Sequence, residues 1–364
     1  SALNETALQN TVLGKSWLVA GQQSLADSLF VELPHAEKGY FTAEQPTAGS
    51  FRYSVRQGQA VHIQLLTESP DSIKLFLDVY STEQGKLSSI ITTDTGRNIC
   101  YEASKDEVHL LRLQPELLVS SGYNLQIEQR PSLGFPVSGK NYRAVGSFFG
   151  DPRDGGQRSH RGIDIFASKG TPVVAAHSGR VSPSTQNRLG GKVVWLSSLK
   201  KKFNQYYAHL DSQVVQPGQR VNRGDTIGFV GNTGNARFTP PHLHFSIYSL
   251  GRGAVDPYPF VADNPGTLDE LTVDSSLVGT QARIQTTLAN IRQSPSVKAA
   301  IITTAPKHSL VSIGGASGSW YRIQLPDGTR GFAHRSLIQS LEKPLKTLII
   351  TESHQPYVRL HPEQ

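Results

Sequence analysis

Five residues able to do chemistry together fall between positions 159 and 244: His160 and Asp164 in His160-Arg-Gly-Ile-Asp164, His209 in Tyr207-Ala-His209-Leu210, and His242 and His244 in Pro241-His242-Leu-His244. The last pair sits in an alternating run, His242-Leu243-His244-Phe245-Ser246-Ile247. In a strand, residues two apart share a face, so both imidazoles point one way and Leu243, Phe245 and Ile247 the other. Two imidazoles aimed at one point call for a metal or a substrate between them. Zinc accepts imidazole nitrogen and carboxylate oxygen, and a catalytic zinc typically keeps three protein ligands with a fourth position open to water.

The elements that must position these groups read as strands. His160 and Asp164 have the spacing of a helical metal site, but Gly162 and the β-branched Ile163 and Ile165 oppose a helix, which predicts a turn entering a strand. Further strands are expected over residues 173–176, 179–181, 193–196, 205–208, 226–230 and 244–248. Lys200-Lys201-Lys202, between two of them, reads as a solvated hairpin tip. The run from Pro217 to Gly228 resembles the turn-strand unit of lipoyl-carrier barrels, but no modifiable-lysine signature accompanies it.

Taken in order, the motifs resemble those of the LytM and lysostaphin type of zinc metallopeptidase, which hydrolyses peptide cross-links of bacterial cell walls. The likeness runs over residues 135–261 and includes Ser147-Phe-Phe-Gly150, Gly170-Thr-Pro-Val-Val-Ala175, Gly231-Asn-Thr-Gly234 and Val255-Asp-Pro257. It implies one zinc ion held by His160, Asp164 and His244, with His209 and His242 as catalytic residues whose roles stay undivided. One carboxylate and two neutral imidazoles leave a zinc site at about +1, which favours deprotonation of a bound water. All five positions are filled, so nothing suggests a metal-free member. Asn141 is a candidate occluding residue, as an upstream asparagine is in latent relatives. The opening Ser147-Phe-Phe-Gly-Asp-Pro-Arg-Asp-Gly-Gly156 is similar to that of proteins from Gram-negative organisms, which implies a D,D-endopeptidase acting on directly linked stem peptides. His177 in its Gly-flanked turn, and His35, His62, His109, His308, His334, His354 and His361, match no part of the pattern.

The 364 residues have room for several modules. The expected fold class is mainly β: an N-terminal β-sandwich (1–130), a LytM-type antiparallel β-groove (131–263), a linker (264–279), a small SH3-like β-barrel (280–343) and a C-terminal extension (344–364). A short helix is expected over residues 1–15. The sandwich is read from strands at 51–55, 61–65, 73–79, 108–113 and 123–127, separated by polar turns. The last module resembles a bacterial SH3-type domain on Asn290-Ile-Arg292, Trp320-Tyr321 and Asp327-Gly328, and in such proteins this domain binds wall peptides. There the Trp-Tyr pair suits packing and a binding groove equally well, and Gly314-Gly-Ala-Ser-Gly-Ser319 reads as a loop.

Net charge +7 implies attraction to anionic surfaces, peptidoglycan among them, while no basic helix, zinc-finger spacing or aromatic RNA-binding signature supports nucleic acid. No apolar run reaches the roughly 18–20 residues of a spanning helix. The resemblance places the protein in the periplasm or outside the cell, and a start at Ser1 without Met suits a removed targeting segment. Cys100, the one cysteine, reads as a small buried residue. The rival class is a non-enzymatic peptidoglycan-binding or regulatory protein that uses the peptidase fold as a docking groove. Metal content separates the two.

Overall fold

Every second side chain of the strand His35–Phe41 points inward, and this alternation recurs through the N-terminal half. The structure, a computed structural model, describes residues 10–68, 73–93, 98–198, 203–264 and 266–343. One antiparallel sheet runs Gly49–Val55, Glu107–Pro115, Leu75–Glu83, Lys86–Thr93; facing it are His35–Phe41, Ser121–Pro131, Gln59–Thr67 and Asn98–Glu102. Their inner faces meet in one core that includes Phe51, Tyr53, Leu77, Ile63 and Ile127, the sandwich expected from period-two patterning.

The helix expected over residues 1–15 is displaced, occupying Val12–Ser24, while residues 1–9 of that expectation lie outside the described residues. Thr11 caps it by accepting from Gly14 N at 3.1 Å. Trp17, Ala20, Gly21 and Ser24 form its buried face, and Trp17 Nε1 donates to Pro115 O at 2.7 Å. The buried positions 17, 20, 21 and 24 follow i, i+3, i+4, i+7, but Gly21 and Ser24 fill two of them, so residue types did not announce the helix. Cys100 is also a correction: it is exposed on the edge strand Asn98–Glu102, with Sγ 3.7 Å from His62 Nε2. Alternation along that strand turns Cys100 to the solvent side while Ile99 and Tyr101 pack inward.

The C-terminal strands close their own small core around Ile291, Ile313, Tyr321 and Ile323, yet they do not stand alone. Leu310–Ser317 pairs antiparallel with His35–Phe41, so the sandwich sheet continues into the SH3-type module. Residues 314–317, expected in a loop, are therefore strand, with only Gly318 and Ser319 left to turn. The glycines are there for space. A Cβ on Gly315 would lie 2.6 Å from Glu37 Oε1, and one on Gly314 3.0 Å from Arg322 Nη1. These belong to a buried ion pair: Arg322 Nη2 donates to Glu37 Oε1 at 3.0 Å, and Tyr123 OH donates to the same oxygen at 2.7 Å. Packing settles the Trp-Tyr pair. Trp320 and Tyr321 are both buried, and Trp320 joins the sandwich core.

The central region forms its own sheet, in the order Arg220–Val221, Gly179–Val181, Gly191–Ser198, Phe203–Gln213, His242–Ser249, Ile163–Phe166, Val145–Ser147. Its apolar face builds a separate core containing Ile163, Tyr207, Leu243, Phe245 and Ile247. Gly191–Ser198 and Phe203–Gln213 pair as the hairpin expected around the lysine run, whose residues lie outside the described ones. Gly58 of the sandwich lies so close to the Phe260 ring that a Cβ there would come within 2.3 Å of it, the contact that ties this region to the sandwich. The extension from residue 344 lies outside the described residues, and among the described ones no helix is long and apolar enough to cross a membrane.

Candidate active site

The face of the central sheet opposite its core carries all five candidate residues. His242–Ser249 alternates as expected: Leu243, Phe245 and Ile247 are fully buried in the core, and His242 and His244 share the other face. The neighbouring strand Ile163–Phe166 sets Asp164 directly across from His244, and His160 reaches in from the turn before it.

His209 arrives by a different device. On Phe203–Gln213, Leu210 pairs with Lys192 and Tyr207 with Val194, so two residues, Ala208 and His209, oppose the single Val193. This bulge puts His209 at φ 61°, a conformation that costs a side-chain-bearing residue energy and is characteristic of functional sites. Its N–H donates to Gly190 O at 2.7 Å, which holds the bulge in place.

Three donor atoms converge. His244 Nδ1 lies 2.9 Å and His160 Nε2 3.1 Å from Asp164 Oδ1, and the two nitrogens are 3.0 Å apart. A triangle with edges near 3 Å is what one ion with bonds of about 2.0–2.2 Å spans, so the set fits zinc. The opposite ring nitrogens support this. His160 Nδ1 donates to Phe148 O at 2.8 Å, and a carbonyl only accepts, so Nε2 is left with its lone pair toward the cluster. His244 Nε2 lies 2.9 Å from Ser246 Oγ, a hydroxyl able to accept the Nε2 proton and so leave Nδ1 for the ion.

His209 and His242 are anchored likewise. His209 Nδ1 donates to Thr233 O at 2.9 Å and His242 Nδ1 to Pro240 O at 2.8 Å, leaving Nε2 of each as an acceptor. The two rings stand 5.1 Å apart, and His242 Nε2 is 3.9 Å from Asp164 Oδ1. Burial, with the neighbouring His244 and His242, pushes the His209 pKa down to about 4. Burial also lowers His244, against the pull of Asp164. For Asp164 burial opposes ionisation, but hydrogen bonds from His160 and His244 override it and hold the carboxyl well below the usual range. Such a set offers a cation site with two further imidazoles beside it. Asn141 Oδ1 accepts from Arg143 N at 3.0 Å and caps the turn Tyr142–Ala144.

Residues 158–257 match Peptidase family M23, and residues 286–339 match the bacterial SH3 domain. The chain carries an M23 peptidase domain. It is 36% identical over 157 residues to the peptidoglycan DD-endopeptidase ShyC of Vibrio cholerae, covering 42% of this chain and 33% of that protein. It is 37% identical over 136 residues to the L-Ala--D-Glu endopeptidase of Bacillus subtilis, covering 34% and 41%. The catalytic domain of lysostaphin from Staphylococcus simulans aligns at 34% identity over 32% of this chain and 89% of that one, with a TM-score of 0.29. The chain spans about a third to two fifths of the length of these curated relatives.

Sequence reasoning missed the residues that hold the M23 site's candidate ligands. Ser246 could have been found, since it continues the same-face series after His242 and His244. The carbonyls of Phe148, Thr233 and Pro240 left no signal, because any residue type offers a carbonyl. Ser147, Asp151 and Arg153 lie in a quoted motif, but their contacts depend on how the 148–159 loop folds back.

Proposed function

We propose that the M23 domain is a zinc-dependent endopeptidase that hydrolyses peptide cross-links of bacterial peptidoglycan, with one ion held by His160, Asp164 and His244. The observation that carries this reading is the triangle of three donor atoms about 3 Å apart with two further imidazoles beside it. Zinc there supplies Lewis acidity, polarising the scissile carbonyl and making a water acidic. His209 and His242 each turn a free Nε2 toward the cluster. One accepts the proton of the attacking water at Nε2 and, as its imidazolium, returns it to the leaving amine; the other orients that water by accepting from it at Nε2. Fixed tautomers keep these nitrogens aimed before substrate arrives.

The names of two relatives support a wall substrate, and the first supports cleavage between directly linked stem peptides. The bacterial SH3 domain supports retention on the wall, where raised local concentration favours turnover. Both support a site of work in the periplasm or outside the cell. The test is incubation with isolated, directly cross-linked peptidoglycan, with and without a zinc chelator, followed by mass spectrometry of the products. Cross-linked dimers disappear with the wild type and persist with chelator or His160→Ala. His209→Ala retains zinc and loses about 10²–10⁴-fold in rate. A zinc-free wild type that binds the wall without cutting it is instead a docking protein.

A further inference from the structure

Asp164 uses its two oxygens differently. Oδ1 faces His160 and His244, whereas Oδ2 lies 2.9 Å from Arg153 Nη2. We propose that Arg153 is a positioning residue of the metal centre, whose guanidinium holds Asp164 by Oδ2 so that Oδ1 alone serves the ion. This rests on the reading of His160, Asp164 and His244 as ligands.

A carboxylate free to turn could bring both oxygens onto one ion, raising the coordination number and filling the position a catalytic site keeps for water. A planar guanidinium is suited to prevent this, because its donors are fixed in one fork. The arm that carries Arg153 is itself tied to a ligand. Pro152–Arg153 pairs with Arg158–Ser159, Gly150 N donates to His160 O at 2.9 Å, and His160 N donates to Asp151 O at 2.8 Å. Arg153 Nη2 also bonds Ser147 Oγ. That hydroxyl donates to Asp151 Oδ2 at 2.9 Å and stands 3.3 Å from His160 Nδ1. One side chain therefore steadies two of the three ligands.

Charge alone works in the opposite direction. A guanidinium beside a cation site repels the cation, so deleting Arg153 strengthens zinc binding if charge is all it contributes and weakens binding if it positions Asp164. The sign decides. The experiment takes the full chain as wild type, Arg153→Met and Arg153→Lys. It measures zinc affinity by competition with a chromophoric chelator and the visible spectrum of the cobalt-substituted protein. Arg153→Met weakens zinc by about 10–100-fold and lowers the cobalt band intensity as the carboxylate becomes bidentate; Arg153→Lys recovers part of the affinity. Zinc held as tightly or more tightly by Arg153→Met, with a wild-type cobalt spectrum, overturns the proposal. If circular dichroism shows that the Met variant does not fold, the Lys variant decides, since a charge without the fork that leaves affinity and spectrum unchanged overturns it equally. A wild type that takes up no zinc overturns the ligand reading itself.

Discussion

Each histidine of the groove gives one ring nitrogen to an oxygen: Phe148 O, Thr233 O, Pro240 O or Ser246 Oγ. His35 shows the contrary case. It is buried in the sandwich sheet, and its Nε2 has no hydrogen-bond partner among the described residues. Burial pushes its pKa down to about 4, with Arg322 acting in the same direction and Glu37 and Asp269 against it. Phe51 packs 5.7 Å from the ring and carries no charge. Because the folded pKa lies below the unfolded value of 6.5, the unfolded chain binds the proton first as pH falls. The neutral ring's contribution is complete above pH 6.5 and is lost as pH falls from 6.5 to 4, a loss of about 2–3 kcal/mol by pH 4.5. Urea unfolding of wild type and His35→Phe at pH 7.5 and 4.5 measures this. The wild type loses about that much more stability than the variant on acidification, and equal losses in the two proteins refute it.

Among the strands, side-chain alternation carries the architecture and close approach carries the exceptions. Gly315 is such an exception, occupying a strand position because Glu37 Oε1 fills the space a Cβ would need. Gly315→Ala must push the carboxylate away from Arg322, so overpacking and a disturbed ion pair together cost about 2–4 kcal/mol. Chemical denaturation checks this, and Gly328→Ala, whose Cβ meets nothing, shows the smaller effect of a positive φ alone. The same contrast explains what could be read from the chain. His242-Leu-His244 and its apolar partners announced their strand and both its faces, because period two is written in residue types. The bulge at His209 was not legible, since it depends on a register shift between strands and on Gly190 O accepting its N–H. Gly314 and Gly315 suggested a turn because composition cannot separate a glycine chosen for φ from one chosen for lack of a Cβ.

Across the whole molecule, the cores of the sandwich and of the SH3-type module are joined where independent modules were expected. Leu310–Ser317 extends the sandwich sheet, Trp320 enters the sandwich core, and Arg322, Glu37 and Tyr123 form a charged cluster with almost no solvent contact. The peptidase core meets the sandwich through a smaller contact, where Gly58 makes room for the ring of Phe260. A wall-binding module on a flexible tether would gain only local concentration; one fixed by a shared sheet also holds its surface at a set orientation to the sandwich. Glu37→Ala tests this because it leaves the Arg322 guanidinium buried without its counter-charge, at a cost of about 3–5 kcal/mol. In scanning calorimetry the sandwich and SH3-type module then melt together at a lower temperature, while zinc continues to raise the melting of the peptidase core. Replacing both partners, Glu37→Leu with Arg322→Met, restores most of the loss because neither charge remains buried. A tethered module predicts otherwise: its melting stays at the wild-type temperature in Glu37→Ala, and only the sandwich is weakened.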